Sequence, residues 1–367
     1  MSRPVAIRLA QLCKRYPGAD GLAVDHLDLE IPTGEIVALV GPSGCGKTTT
    51  LKMINRLIEP TSGTIEIHGR PAGALPVHEL RRGIGYVIQQ TGLFPHKTVA
   101  GNIATVPRLL GWDKARTRER VEELVDLVGL ERQMLDRYPS ALSGGQQQRV
   151  GVARALAADP PILLMDEPYS AVDPIVRARL QDELLDLQRR VHKTIVLVTH
   201  DVDEAIKLGD RVVILNVGGR IEQAAPPAEL LASPASPFVA DFLGEERGLK
   251  RLALLRVRDI TPGTGPVADV GDPADVARAL MAEHRVDWFG VREHGRLLGW
   301  RWGSSLDGTV QAEGVQPFRA VVTPDSTLRS ALDGIVGSLT NVAVVVDEDG
   351  AYRGMLRIDE ISEGVRD

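Results

Sequence analysis

Aromatic residues are scarce in this 367-residue chain, at 4%. Its core must rest on Val, Leu, Ile and Ala, which dominate the 43% of apolar residues, and that suits a parallel sheet covered by helices. Cysteine is almost absent: only Cys13 and Cys45 occur, with no C-x-x-C pair. A disulfide framework and a structural zinc site are therefore disfavoured, and a reducing compartment fits. No run of 18 apolar residues exists, and Met1-Ser2-Arg3-Pro4 opens no apolar signal segment, so membrane association is expected to come through a partner. An excess of positive charge is missing too. With a net charge of −6, the surface as a whole does not suit nucleic acid. Charged residues make up 25%, ordinary for a globular chain and contrary to disorder, and the length allows about two or three domains.

What is present is concentrated in two stretches. Gly41-Pro42-Ser43-Gly44-Cys45-Gly46-Lys47-Thr48 completes the pattern G-x-x-x-x-G-K-[ST], a cradle for nucleotide phosphates. The flanks agree: Ile36 to Val40 reads as a buried strand and Thr48 to Leu57 as a helix. Gly41, Gly44 and Gly46 are expected to let backbone N–H groups approach phosphates without a Cβ in the way. Lys47 would carry charge to the β- and γ-phosphates of ATP, and Thr48 would offer its hydroxyl to Mg²⁺. Cys45 reads as a loop residue, not a redox site. The second stretch, Leu142-Ser143-Gly144-Gly145-Gln146, is a Gly-rich turn opening a helix, a second anion site. One nucleotide rarely needs two such ends from one chain. Two copies facing head to tail would grip each ATP between the loop of one and the turn of the other.

Two further apolar runs, 161–165 and 194–199, read as buried strands ending in Asp166-Glu167 and His200-Asp201. Ligands sit at the carboxyl ends of such strands, so three strand ends converge on one site. Asp166 has the position of a carboxylate that holds Mg²⁺, and Glu167 is suited to polarise an attacking water. Paired acids can also open a helix, but Pro168 follows here. His200 and Gln89, taken singly, are equally readable as structural or surface residues.

Residues 95–160 read as a helical insertion, with a helix from Arg116 to Val128. The Pro-, Ala- and Glu-rich stretch near 225–250 marks a boundary, giving expected domains at 1–240 and 254–367 with a linker at 241–253. The second domain carries a repeat of helix, strand, turn and strand: Asp275 to His284, Trp288 to Val291 and Leu297 to Trp300, then Ser326 to Gly337, Val342 to Val346 and Tyr352 to Leu356. The period is roughly 60 residues, and two copies suggest a paired module instead of an array.

Together these residues resemble the nucleotide-binding subunit of an ATP-binding-cassette (ABC) transporter. Leu142 to Arg149 is similar to its signature sequence, and Ser170-Ala171-Val172-Asp173 to its D-loop, with Val172 where Leu is usual. The resemblance implies an α/β P-loop NTPase core with an inserted helical subdomain. It implies that Gln89, Glu167 and His200 are catalytic and that Thr48, Gln89 and Asp166 serve Mg²⁺. Tyr16 would stack on adenine. Gly41 through Thr49 (Thr49 included), Ser143, Gly144, Gly145, Gln146 and Asp173 would bind ATP, the signature turn and Asp173 acting in a dimer.

Met53 to Gly63 and Ile84 to His96 resemble, more narrowly, importers of quaternary amines: glycine betaine, carnitine, choline and proline systems. The C-terminal repeat is similar to a tandem cystathionine-β-synthase (CBS) pair, an α/β regulatory domain. Where such domains often carry a ribose-binding Thr or Ser and an Asp three residues on, this chain has Trp302 and Ser305, then Arg357 and Glu360. The implied partners are a second copy, membrane permease subunits and an extracytoplasmic binding protein, with no nucleic acid. The implied place is the cytoplasmic face of the membrane. Two alternatives are a cassette ATPase acting on DNA or ribosomes, and a nucleotide-switched regulatory module. A second cassette or long coiled coil is missing for the first, and the intact Glu167 and His200 oppose the second.

Overall fold

In the computed structural model of the chain, residues 4–18, 20–89, 92–170 and 172–364 are described. Gln90 and Thr91 of the importer-like segment and Ala171 of the D-loop lie outside the described residues. The chain forms two units, 1–244 and 245–367.

The first unit is built on a six-stranded sheet, in which β3 (Ile36–Val40), β6 (Ile84–Val87), β7 (Ile162–Asp166), β8 (Thr194–Val198) and β9 (Arg211–Asn216) run parallel. β10 (Arg220–Ala225) closes one edge antiparallel, giving the order β10-β9-β3-β8-β7-β6. β3, β7 and β8 are buried at every position, as strands covered on both faces must be. A second, antiparallel sheet, ordered β2-β1-β4-β5, contains β1 (Val5–Lys14), β2 (Val24–Pro32), β4 (Ser62–Ile67) and β5 (Arg70–Pro71). In β2 the inward residues Leu27, Leu29 and Ile31 alternate with outward Asp28 and Glu30. One continuous core joins both sheets through residues such as Leu9, Ile31, Leu39, Leu164 and Val198.

The helices of the parallel crossovers leave the carboxyl ends of β3, β6, β7 and β8 on one edge. α1 (Lys47–Ile54) follows β3, and α2 (Val77–Arg82) precedes β6. The expected helix end at Leu57 is corrected to Ile54, because Arg56 adopts a left-handed backbone, φ 49°. Between β6 and β7 lie α3 (Val99–Ile103), α4 (Thr105–Leu109), α5 (Lys114–Leu127) and α6 (Gly144–Leu156). α7 (Pro174–Val191) joins β7 to β8, α8 (Val202–Leu208) follows β8, and α9 (Pro227–Ala232) and α10 (Pro237–Leu243) end the unit.

Residues 241–253, the expected linker, are mostly helical. α10 buries Val239 and Leu243, and α11 (Arg247–Leu254) places Leu252 in the core of the second unit. The charged residues between the leucines of α11 hid that amphipathic pattern.

The second unit repeats strand, helix, strand, strand. β11 (Val267–Asp269), α12 (Ala274–His284), β12 (Trp288–Glu293) and β13 (Arg296–Trp302) are followed by β14 (Val321–Val322), α13 (Leu328–Val336), β15 (Val342–Val346), β16 (Tyr352–Arg357) and α14 (Ile358–Gly364). In each copy the first strand pairs parallel to the second. Trp288 and Val342 start equivalent strands, so the offset is 54 residues, shorter than the expected period. Trp288 and Trp300 of one copy share a cluster with Val342, Val344 and Met355 of the other.

Candidate functional site

The phosphate loop runs from β3 into α1, and its glycines serve two purposes. A Cβ on Gly41 would lie 2.2 Å from the Leu215 carbonyl oxygen of β9, and one on Gly46, where φ is 95°, 2.5 Å from that of Ala23. Backbone packing therefore demands these two glycines, beyond the phosphate access expected from sequence. A Cβ on Gly44 would meet nothing within 4 Å, so that part of the loop is open. The start of α1 has no side-chain cap and no acid in its first turn, which leaves its N–H groups to an anion.

Lys47 is 7% exposed, and its ammonium donates to the carbonyls of Gly41 at 2.7 Å and Pro42 at 3.1 Å, beside Cys45 Sγ at 3.5 Å. Ser43 is exposed, and the Cys45 side chain is buried in the core. Tyr16, beyond the end of β1, sits partly exposed with its hydroxyl 3.3 Å from Thr49 Oγ1 and the Lys14 ammonium 5.5 Å from its ring.

Across the sheet edge, Thr48 Oγ1 donates to Asp166 Oδ1 at 2.9 Å, and the Tyr86 hydroxyl lies 3.5 Å from Oδ2. Burial pushes the Asp166 carboxyl above its ordinary range, against the Thr48 hydrogen bond and the charge of Lys52, which pull it down. A group so desolvated gains from a cation. The two oxygens fit Mg²⁺: neighbouring ligands of an octahedron with ~2.0–2.1 Å bonds stand about 2.9 Å apart.

Glu167 turns the other way. Its backbone is left-handed, φ 44°, and its N–H donates to Val198 O of β8 at 2.9 Å. That kink aims the carboxylate at Gln89 and His200: Gln89 Nε2 donates to Oε2 at 2.9 Å, and His200 Nδ1 lies 3.3 Å from the same oxygen. Such a left-handed non-glycine costs about 1–3 kcal/mol, a strain characteristic of functional positions. Gln89 was expected to serve both the metal and catalysis; the hydrogen bond it makes among the described residues is to Glu167, not to Asp166.

The signature turn is a capping box at the start of α6. Ser143 Oγ accepts from Gln146 N at 3.3 Å, and Gln146 Oε1 accepts from Ser143 N at 2.9 Å, while Ser143 and Gly144 stay exposed. A Cβ on Gly145 would meet Val176 of α7 at 3.0 Å. Asp173 caps α7 by accepting from Ile175 N at 3.0 Å.

A profile described as "ABC transporter" matches residues 24–170. The osmoprotectant import ATP-binding protein OsmV of Salmonella typhimurium is 48% identical over 97% of this chain and 95% of its own length. The chain belongs to the ATP-binding subunits of ABC transporters. This ABC subunit is also 52% identical to the glycine betaine/carnitine/choline transport ATP-binding protein OpuCA of Bacillus subtilis, over 77% of this chain and 74% of the relative. Among solved structures, the dimeric ATP-binding cassette MJ0796 with ADP and Pi covers 60% of the chain and 98% of its own, at 35% identity and TM-score 0.54. The site is therefore that of a nucleotide-binding ATPase. No helix among the described residues of the subunit is long and apolar enough to cross a membrane.

Sequence reasoning missed three residues packed against the candidate site. Arg177 of α7 bonds Val172 O at 3.2 Å and Asp201 at 3.4 Å, tying the D-loop to the segment after His200. Tyr86 reaches Asp166 from β6. Glu204 of α8 is buried beside Thr199, and burial pushes its carboxyl up to about 7. None belongs to a spaced motif, so only the fold brings them to the site.

Proposed function

We propose that this chain is the ATP-hydrolysing subunit of an importer for a quaternary-amine osmoprotectant of the glycine betaine, choline, carnitine or proline type. The observation that carries the mechanism is the division of labour at the end of β7: Asp166 meets Thr48, whereas Glu167 meets Gln89 and His200. The substrate class follows the names of the relatives.

ATP would lie on the loop Gly41–Thr48, with Lys47 exchanging its carbonyl contacts for phosphate oxygens and Tyr16 facing the base. Thr48 and Asp166, with Gln89 joining on closure, would hold Mg²⁺. Bound there, the ion would offset negative charge on the phosphate oxygens. Glu167 orients the attacking water and takes up its proton, while Gln89 and His200 fix the carboxylate's position. Ser143 and Gly145 of a second copy complete the cradle, so hydrolysis is a property of the dimer. The helical layer α3–α6 would pass opening and closing to permease subunits at the cytoplasmic face of the membrane, fed by an extracytoplasmic binding protein. The second unit would be a CBS-like regulatory pair.

The test is uptake of labelled glycine betaine, choline, carnitine and proline by cells whose transport depends on this chain, comparing wild type with Lys47→Ala. Uptake of at least one amine should fall to background. Undiminished uptake of all four would overturn the reading.

A further inference from the structure

Away from the nucleotide, the pairing of β1 with β2 shifts register at three places, the last of them between Leu12 and Lys14. Leu12 pairs with Leu27 and Lys14 with Val24, so the single residue Cys13 faces two, Asp25 and His26. This is a β-bulge, a device that re-aims side chains. Regular pleating would send Asp25 and His26 to opposite faces. The bulge, with His26 at φ 48°, gathers both beside Cys13.

The Cys13 sulfur, a carboxylate oxygen of Asp25 and a ring nitrogen of His26 all lie within 4.8 Å of one another. His26 Nδ1 stands 2.6 Å from Asp25 Oδ1, and the His26 backbone N–H points at Cys13 Sγ from 3.2 Å. Around a tetrahedral Zn²⁺ with bonds of ~2.0–2.3 Å, ligand atoms are about 3.3–3.6 Å apart, so His26 Nδ1 and Asp25 Oδ1 would part from their 2.6 Å hydrogen bond as the ion enters. The thiol is 3% exposed whereas the imidazole is open to solvent, so an ion would enter from the His26 side.

We infer that Cys13, Asp25 and His26 form a three-ligand site for a thiophilic divalent cation of the Zn²⁺ class, with a fourth position left to water. On binding, the Cys13 S–H bond breaks, a sulfur–metal bond forms and the proton leaves to solvent; no electron is transferred. His26 binds as neutral imidazole through Nδ1, its proton moving to Nε2. The bulge adjoins the nucleotide region: Ala23 N–H donates to Lys14 O at 2.8 Å, and Ala23 O packs on Gly46 of the phosphate loop.

The test uses the full chain, stripped with chelator and titrated with Zn²⁺ in two buffers of different ionisation enthalpy, then with Co²⁺ followed by absorbance. About one equivalent should bind with release of about one proton, and Co²⁺ should show a thiolate charge-transfer band. Cys13→Ser should abolish the band, and its Zn²⁺ affinity should drop about tenfold or more. His26→Asn keeps a residue at ease in the left-handed backbone, and should weaken Zn²⁺ similarly without lowering the Tm measured in chelator. Absence of stoichiometric Zn²⁺ binding, a Co²⁺ band that survives Cys13→Ser, or unchanged affinity in His26→Asn would each overturn the assignment.

Discussion

Glu204 should make this chain less stable as the pH rises. Glu204 is 5% exposed, Thr199 Oγ1 donates to its Oε2 at 3.0 Å, and its Oε1 is buried with no hydrogen-bond partner among the described residues. Burial, reinforced by Asp201 and Glu167 and opposed by Thr199 and Arg177, lifts its carboxyl from 4.5 to about 7. Between those values the folded chain holds a proton that the unfolded chain has released, so stability falls across that window as pH increases. At 1.36 kcal/mol per pH unit the loss is ~3 kcal/mol by pH 8. Glu204→Gln copies the protonated acid and cannot ionise. Relative to wild type it should be nearly neutral near pH 4.5 and gain up to ~3 kcal/mol at pH 8. At about 2–4 °C per kcal/mol for a unit of this size, the difference in Tm is about 6–12 °C. Scanning calorimetry of both proteins at pH 5 and pH 8 measures it. The same Tm difference at both values would refute a buried, proton-holding Glu204.

Two other substitutions probe the fold beneath the site. Gly41→Ala puts a methyl 2.2 Å from Leu215 O and 2.8 Å from Cys45 Sγ. It should cost ~1–3 kcal/mol and weaken ATP binding, checked by thermal melts and calorimetry, whereas an unchanged melt would mean that β9 yields freely. Ser143→Ala removes one half of the α6 capping box and should cost about 1 kcal/mol. It should also slow hydrolysis while leaving ATP affinity of the separate chain intact, a split that turnover and equilibrium binding measure together.

The parallel sheet was the most legible part of the fold. β3 and the site ends of β7 and β8 were readable because strands buried on both faces are continuous apolar runs, as was β15 in the second unit's separate sheet. The antiparallel sheet was not. In β1 the alternation is broken by left-handed Gln11 and by the bulge at Cys13, and in β2 Asp25-His26 interrupts it. β11 and β14, of three and two residues, are too short to show a period.

At the site, the phosphate loop, Asp166 and Glu167 were legible from spacing and strand context. Gln89, His200 and Tyr16 drew their roles from resemblance, since a lone amide, imidazole or phenol carries no pattern. Arg177 was hidden in a helix of ordinary alternating charge. Gly41 and Gly46 were recognised for one reason and turned out to have a second, because the neighbouring backbones of β9 and Ala23 come from distant sequence.

Glu167→Gln tests the central claim most directly, because the amide keeps the shape of the side chain and removes the base. ATP hydrolysis by the purified chain should fall about 100-fold or more. ATP affinity should persist, and size-exclusion chromatography with Mg²⁺ and ATP should show a dimer that wild type forms only transiently. Turnover within about twofold of wild type, far less than loss of a general base costs, would contradict the role of Glu167 and the mechanism built on it.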